Sequence, residues 1–382
     1  MAHTLVKRAQ TLQALVREHA DESEAQRYLS PVVAQAFAAA GLYRIAAPQE
    51  CGGSAADPMT QVETIEAIAY ADGSAAWNLM IGIESFSLIT PGFEGCMDLV
   101  SDAEVVLSSS TAAVGRAEKN DAGYTISGRW PFVSGCHNSH LFGATVQVWD
   151  QGERVPNLPN YYAIIDRRDF DIIDTWHTAG LCASGSHDVT VNNIQIPAAR
   201  LVLPLGQIRH DSPLLNFPLG ARLAYNKVAV AWGITRCALD AFVELAQAKQ
   251  PRFSKRGLQD RPRAQRAVAE AEVRLRAGRA HVMQEIESLW GLVEQKQHIT
   301  SRQRALFQLA CSDSVRACVE AVGLLSDAAG TSANQKGFPL ERALRDVRVV
   351  GQHLTVAPHH IEDAGRVLLG LPAEELMLAG LG

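Results

Sequence analysis

Apolar positions recur along this chain with two different periods, and the change of period divides it. Up to about residue 103 the spacing is helical. Residues 34–40 are alanine-rich and stop at Gly41, and residues 59–69 place Met, Val, Ile and Ala at three- and four-residue intervals. Both patterns predict helices. From about 104 to 210, short β-rich runs take over at 104–107, 124–126, 144–148 and 161–165. Gly, Pro, Asn and Asp lie between them, as in a barrel or sandwich. From 211 to 382 the helical period returns, with long amphipathic stretches at 265–290 and 302–329. The expected organisation is a helical region 1–103, a β-region 104–210 and a helical region 211–382. Within the last, four helices could form a bundle that leaves apolar faces for neighbouring subunits.

A chain of 382 residues, nearly half hydrophobic, can bury a large core in two or three layered units. Its formal charge of -6 argues against a nucleic-acid surface. The first residues lack the apolar run of a signal peptide, and no apolar stretch is long enough to span a bilayer. Seven cysteines are scattered without a CxxC pair, which suggests neither a disulfide framework nor a thiolate zinc site. These features point to the cytoplasm. No HxxxH or HExxH pair marks a metal centre, and no metal is expected. No GxGxxG follows a strand, so a nicotinamide site is not indicated.

The densest chemistry lies in Gly128-Arg129-Trp130-Pro131-Phe132-Val133-Ser134-Gly135, after a run that reads as a strand. Glycine permits close backbone approach and proline fixes the turn. Read from its residues alone, this is either a hairpin turn with two core aromatics or a platform for a conjugated ring, with Trp130 and Phe132 as faces and Ser134 as an edge donor. A second segment, Trp176-His177-Thr178-Ala179-Gly180-Leu181-Cys182-Ala183-Ser184-Gly185-Ser186-His187-Asp188-Val189, runs into an alternating strand that stops at Pro197. A third, Pro339-Leu340-Glu341-Arg342-Ala343-Leu344-Arg345-Asp346, lies near the end.

Together, in this order, the three segments resemble the acyl-CoA dehydrogenase superfamily. The resemblance covers essentially the whole chain. It implies an α+β fold with an N-terminal helical domain, a central antiparallel flavin-binding β-domain and a C-terminal four-helix bundle, assembled as a homotetramer with each flavin touched by more than one subunit. The dehydrogenases of the superfamily take a substrate α-proton with a glutamate eight residues after the Asp of the Arg-Asp segment. Here that position is Leu354, preceded by His353. The alternative location of the base, on an earlier helix, matches Ala221-Arg222-Leu223-Ala224-Tyr225 and offers no acid either. A carboxylate is the obvious base for that reaction, so both gaps weigh against it.

The chain is more similar to the two-component flavin-dependent monooxygenases of this fold. That branch implies reduced FMN, or FAD, supplied by a separate reductase. It implies a C4a-hydroperoxide formed with O2 in a dry pocket, and transfer of one oxygen to a small aromatic or heteroaromatic substrate such as a phenol or indole. Oxidation of nitrogen or sulfur, or acyl-CoA dehydrogenation with a displaced base, are the alternatives. His353 is the first catalytic candidate, because imidazole titrates near neutrality and can take a proton from a substrate hydroxyl or N–H. His137 is second, and Ser134 is the hydroxyl, or backbone N–H, near the flavin edge. The resemblance implies Trp130, Phe132, Val133 and Ser134 around the ring. It also implies Ser184, Ser186, Arg252 and Gln265 as phosphate partners, the last two in a region that crosses between subunits.

Overall fold

The computed structural model describes residues 2–93, 95–204 and 213–374. Five helices come first: α1 (Ala2–Glu18), α2 (Ala20–Gln26), α3 (Pro31–Ala39), α4 (Pro58–Ala69) and α5 (Gly73–Ile89). Their ends follow local chemistry. Helix α3 stops before Gly41, which takes φ +70°. Asp57 caps α4 by accepting the Thr60 N–H at 2.8 Å, and Asp72 caps α5 by accepting that of Ala75 at 2.8 Å. Every residue of α5 except Ile81 is buried, so this helix is interior on all sides.

Eight strands follow: β1 (Leu107–Asn120), β2 (Gly123–Val133), β3 (Leu141–Asp150), β4 (Glu153–Arg154), β5 (Tyr161–Asp166), β6 (Asp171–Ile173), β7 (His187–Ile196) and β8 (Leu201–Val202). They form one sheet in the order β6-β7-β2-β1-β3-β5-β8, with β4 on β3. The expected antiparallel domain is in fact mixed, because β1 and β3 pair in parallel. Strand β3 returns in the direction of β1 and lies beside β1 rather than β2. That crossover forces one parallel pair, and nothing in the local alternation of side chains reveals it. A separate apolar core sits on this sheet around Trp130, Phe142 and Val189.

The remaining helices are α6 (Pro213–Asn216), α7 (Leu219–Ala248), α8 (Pro262–Glu294), α9 (Ser301–Ala329), α10 (Pro339–Gly351) and α11 (His359–Leu368). Helices α7 to α10 pack as a bundle, and α11 lies against α9. A capping box of Thr300 and Gln303 opens α9. The expected Arg-Asp segment falls on α10 and fastens the layers together. Asp346 is buried and accepts the Leu181 N–H at 2.7 Å. Arg345 donates to Glu24 of α2 at 2.8 Å and to the Ala179 carbonyl at 2.6 Å. Gly180 lets that backbone come close, since a Cβ there would lie 2.3 Å from the Arg345 carbonyl oxygen. No helix among the described residues is long and apolar enough to cross a membrane.

Candidate functional site

The two β-segments singled out in the sequence meet. Gly135 donates its N–H to the Ser184 carbonyl at 3.0 Å, and Val133 pairs with His187 across β2 and β7. The ladder slips between Trp130 and Val133, a bulge that sends the two aromatics of the segment in opposite directions. Trp130 is fully buried, edge-on to Phe142 at 5.5 Å, with Nε1 donating to the Thr145 carbonyl at 2.7 Å. Gly115 and Gly128 make room for it, since a Cβ on either would lie within 3 Å of the indole. No face of Trp130 is open to a flavin. Its expected role is corrected: it is a core residue, as is the fully buried Val133. Phe132 takes φ +57°, a conformation unfavourable for a bulky residue, and its ring is 70% exposed, perpendicular to Trp176 at 6.3 Å. A strained backbone that holds an aromatic ring out in solvent fits a planar apolar ligand.

Behind the bulge runs a chain of hydroxyls. Trp77 of α5 donates Nε1–H to Ser134 Oγ at 3.1 Å. Ser134 and Ser186 are 2.6 Å apart, and Ser186 and Ser184 2.7 Å. All three serines are buried. The Ser134 N–H is also spent, on the Phe132 carbonyl at 3.0 Å. Ser134 therefore offers neither a free hydroxyl nor a free amide, and holds the Trp77 indole instead. Ser184 and Ser186 likewise join the two loops from within.

Trp77 in turn meets His353, edge-on at 5.2 Å. His353 Nδ1 lies 3.0 Å from Thr355 Oγ1 and 3.3 Å from the Thr355 N–H, and because that N–H can only donate, the arrangement favours the tautomer with the proton on Nε2. Nε2 has no partner among the described residues. Burial, and then the nearby Lys227 ammonium, hold the imidazole down to a pKa of about 3. This corrects the expectation of a histidine titrating near neutrality. His353 is neutral at ordinary pH, with the Nε2–H as its unengaged donor. Leu354, at the position of the dehydrogenases' glutamate, is 64% exposed and turned away.

His137 does not join this group. Its ring stacks on Tyr28 at 4.2 Å and meets His187 at 5.1 Å, and burial holds it down to about 4. It belongs to the contact between the loop and the N-terminal helices, beside the Arg27–Asp174 ion pair. Arg252 and Gln265 are exposed near the turn from α7 to α8. With a rise of 1.5 Å per residue, the end of α7 lies about 45 Å from its start, where Leu223 meets Thr355, so within one chain Arg252 and Gln265 are remote from His353. Among the described residues, no cluster of three His, Cys, Asp or Glu side chains is arranged to hold a metal.

Sequence reasoning missed the polar interior between α5 and α7. Lys227 binds both oxygens of Glu84 at 2.6 Å, and Asn226 donates to Glu84 at 3.1 Å. Arg222 donates from Nη2 to Ser87 Oγ at 2.8 Å. All five residues are buried. Glu84 is the one acid here that a displaced dehydrogenase base would need, and it is fully engaged as an acceptor. The signal for the cluster was present: Glu84, the one charged residue in α5, and a Lys within an apolar stretch of α7 must be paired once buried.

Comparison with known proteins agrees with this architecture. Residues 6–90 match the family model for the acyl-CoA dehydrogenase N-terminal domain, and residues 226–358 that for the C-terminal domain. Indole-3-acetate monooxygenase of Pseudomonas putida is 29% identical over 355 residues, 93% of this chain and 90% of that protein. The crystal structure of 3-HSA hydroxylase from Rhodococcus sp. RHA1 has a TM-score of 0.87 at 26% identity, covering 98% of this chain and 99% of the other. XiaF from Streptomyces sp., solved in complex with FADH2 and glycerol, shares the fold at a TM-score of 0.89 and 22% identity, covering 98% and 97%.

Proposed function

From the premise that this chain belongs to the acyl-CoA dehydrogenase-fold superfamily, we propose that it is the oxygenase component of a two-component flavin-dependent monooxygenase. It takes reduced flavin, FMN or FAD, from a separate reductase and hydroxylates a small aromatic or heteroaromatic compound. One observation carries this reading: where the dehydrogenases place a carboxylate, the inward group is the neutral imidazole of His353, with a free Nε2–H. Names borne by relatives of similar length, indole-3-acetate monooxygenase and 3-HSA hydroxylase, point the same way.

When bound, reduced flavin would supply the two electrons that activate O2, one oxygen atom of which enters the product while the other leaves as water. The residues of this chain bind, orient and exclude water. Phe132 offers its exposed ring to the flavin. The serine chain and Trp77 hold the wall behind it. His353 Nε2–H donates a hydrogen bond to the substrate oxygen or to the developing negative charge, a task for which a neutral donor in a dry site is suited. Arg252 and Gln265 reach a flavin only from a second copy of the chain, so the site is completed by oligomerisation.

The test is to supply an independent flavin reductase, isotopically labelled O2 and a panel of phenols and indoles. One labelled oxygen per product molecule is expected. Turnover of short acyl-CoA thioesters with an artificial electron acceptor, and no labelled product, would overturn the reading in favour of a dehydrogenase.

A further inference from the structure

The polar cluster between α5 and α7 carries an uncompensated charge. It holds two cations, Arg222 and Lys227, and one carboxylate, Glu84. Lys227 occupies both oxygens of that carboxylate at 2.6 Å, and Asn226 adds a third bond to one of them. Arg222 is 4% exposed, and among the described residues its guanidinium makes one hydrogen bond, from Nη2 to Ser87. Among the described residues its Nη1 is buried without a partner, and so is Oδ1 of Asn226, one helical turn further along α7. Burying a guanidinium with an unused N–H is costly, because its water is removed and nothing replaces it. Most buried polar atoms are paired, so two orphans on adjacent turns of one helix point to something that binds there.

The cluster adjoins the chemistry. Leu223, the residue after Arg222, accepts from Thr355 Oγ1 at 3.4 Å, and Thr355 is the partner of His353 Nδ1. Lys227 is near enough to His353 to disfavour its protonation. On α5, Trp77, Glu84 and Ser87 lie at spacings of seven and three, on one face. The cluster is thus continuous with the Trp77–His353 wall.

We propose that Arg222 Nη1 is the anchor for a carboxylate of the substrate, and that the aromatic compound oxidised by this protein is an acid. A carboxylate satisfies the unused N–H with a charge-assisted hydrogen bond and neutralises the surplus cation. Asn226 Oδ1 requires a donor, which an N–H or O–H on the same molecule supplies. The ligand class is therefore an aromatic carboxylic acid carrying a ring N–H or hydroxyl. The identity of the anion as substrate rests on the oxygenase reading; the anion site itself does not.

The experiment is titration calorimetry of the full-length protein, with and without reduced flavin. The probes are phenylacetate, 4-hydroxyphenylacetate and indole-3-carboxylate, each against its neutral primary amide. The wild-type protein is expected to bind at least one acid roughly tenfold or more tightly than its amide. Arg222→Gln should abolish that preference and leave amide binding unchanged, and Arg222→Lys should keep part of it. Equal binding of acids and amides by the wild-type protein, or binding of none of the acids, overturns the proposal even if the variants do not fold. The flavin phosphate is the other source of an anion. If Arg222→Gln weakens reduced FMN and leaves reduced riboflavin unaffected, the phosphate is the ligand and the proposal fails. Oxygen uptake with reduced flavin is measured separately. Its absence would remove the oxygenase reading, while the acid-to-amide ratio would still decide the anion site.

Discussion

The core of the β-sheet and the space between α5 and α7 are both closed to solvent, yet they are built on opposite terms. On the sheet, Trp130 is surrounded by apolar side chains and its one polar atom is bonded to Thr145. Between the helices, five polar side chains are buried together and two of their atoms have no partner among the described residues. The first region is complete in the chain alone; the second is completed by a ligand. Exposure does not distinguish them, since Trp130 and Arg222 are both hidden. Hydrogen-bond satisfaction does.

The sharpest break of this comparison is Trp130→Ala. It empties a closed core and should cost about 3–5 kcal/mol, read from the denaturant midpoint. Folded protein should keep its affinity for reduced flavin. A loss of affinity without loss of stability would return Trp130 to the site.

Lys227→Met attacks the other interior by leaving Glu84 buried and unpaired. A destabilisation of about 3 kcal/mol or more is expected. Adding Glu84→Gln should recover most of it, measured as a double-mutant cycle. Simple additivity would mean that the two residues do not act as a pair.

His353→Ala should fold and bind reduced flavin, but form product roughly a hundredfold or more slowly, with the oxygen released as hydrogen peroxide. Wild-type coupling of oxygen to product would remove His353 from the site. Because its folded pKa is about 3, below the ordinary value of 6.5, its contribution to stability is present above pH 6.5 and is lost as pH falls through about 3. Coupling should accordingly show no ionisation of His353 between about pH 5 and 8. An inflection in that range that disappears in His353→Ala would refute the neutral-donor role.

Phe132→Ala gives the smallest effect and contrasts most directly with Trp130, two residues away. Its ring is mostly exposed and touches Trp176 edge-on, so stability should change by no more than about 0.5 kcal/mol. Affinity for reduced flavin should fall by about 1 kcal/mol through the lost aromatic contact. Unchanged affinity in fluorescence titration would mean that the exposed ring serves something else.

Much of this was legible in the sequence. The alternation of periods located the helices and strands, and the two glycine-flanked segments do lie together. The position of His353 beside the missing glutamate was readable by counting. The parallel β1–β3 pair was not, because local pattern carries no information on which strand lies beside which. Trp130 and Phe132 could not be told apart, since a bulge reverses the facing of side chains and leaves no mark in residue type. The state of His353 depended first on its burial and then on Lys227, which is distant in sequence and close only once α7 packs against α10.

The ion pair between Glu24 and Arg345 spans 321 positions. At synthesis rates of about 5–20 residues per second, Glu24 joins the chain roughly 15–60 s before Arg345 does. During that interval the N-terminal helices lack the surface that α10 will provide. Their apolar faces, closed in the finished molecule, are open on the nascent chain. Yield on expression should therefore be more sensitive to chaperone supply and to truncation near the C-terminus than the stability of the finished protein would suggest.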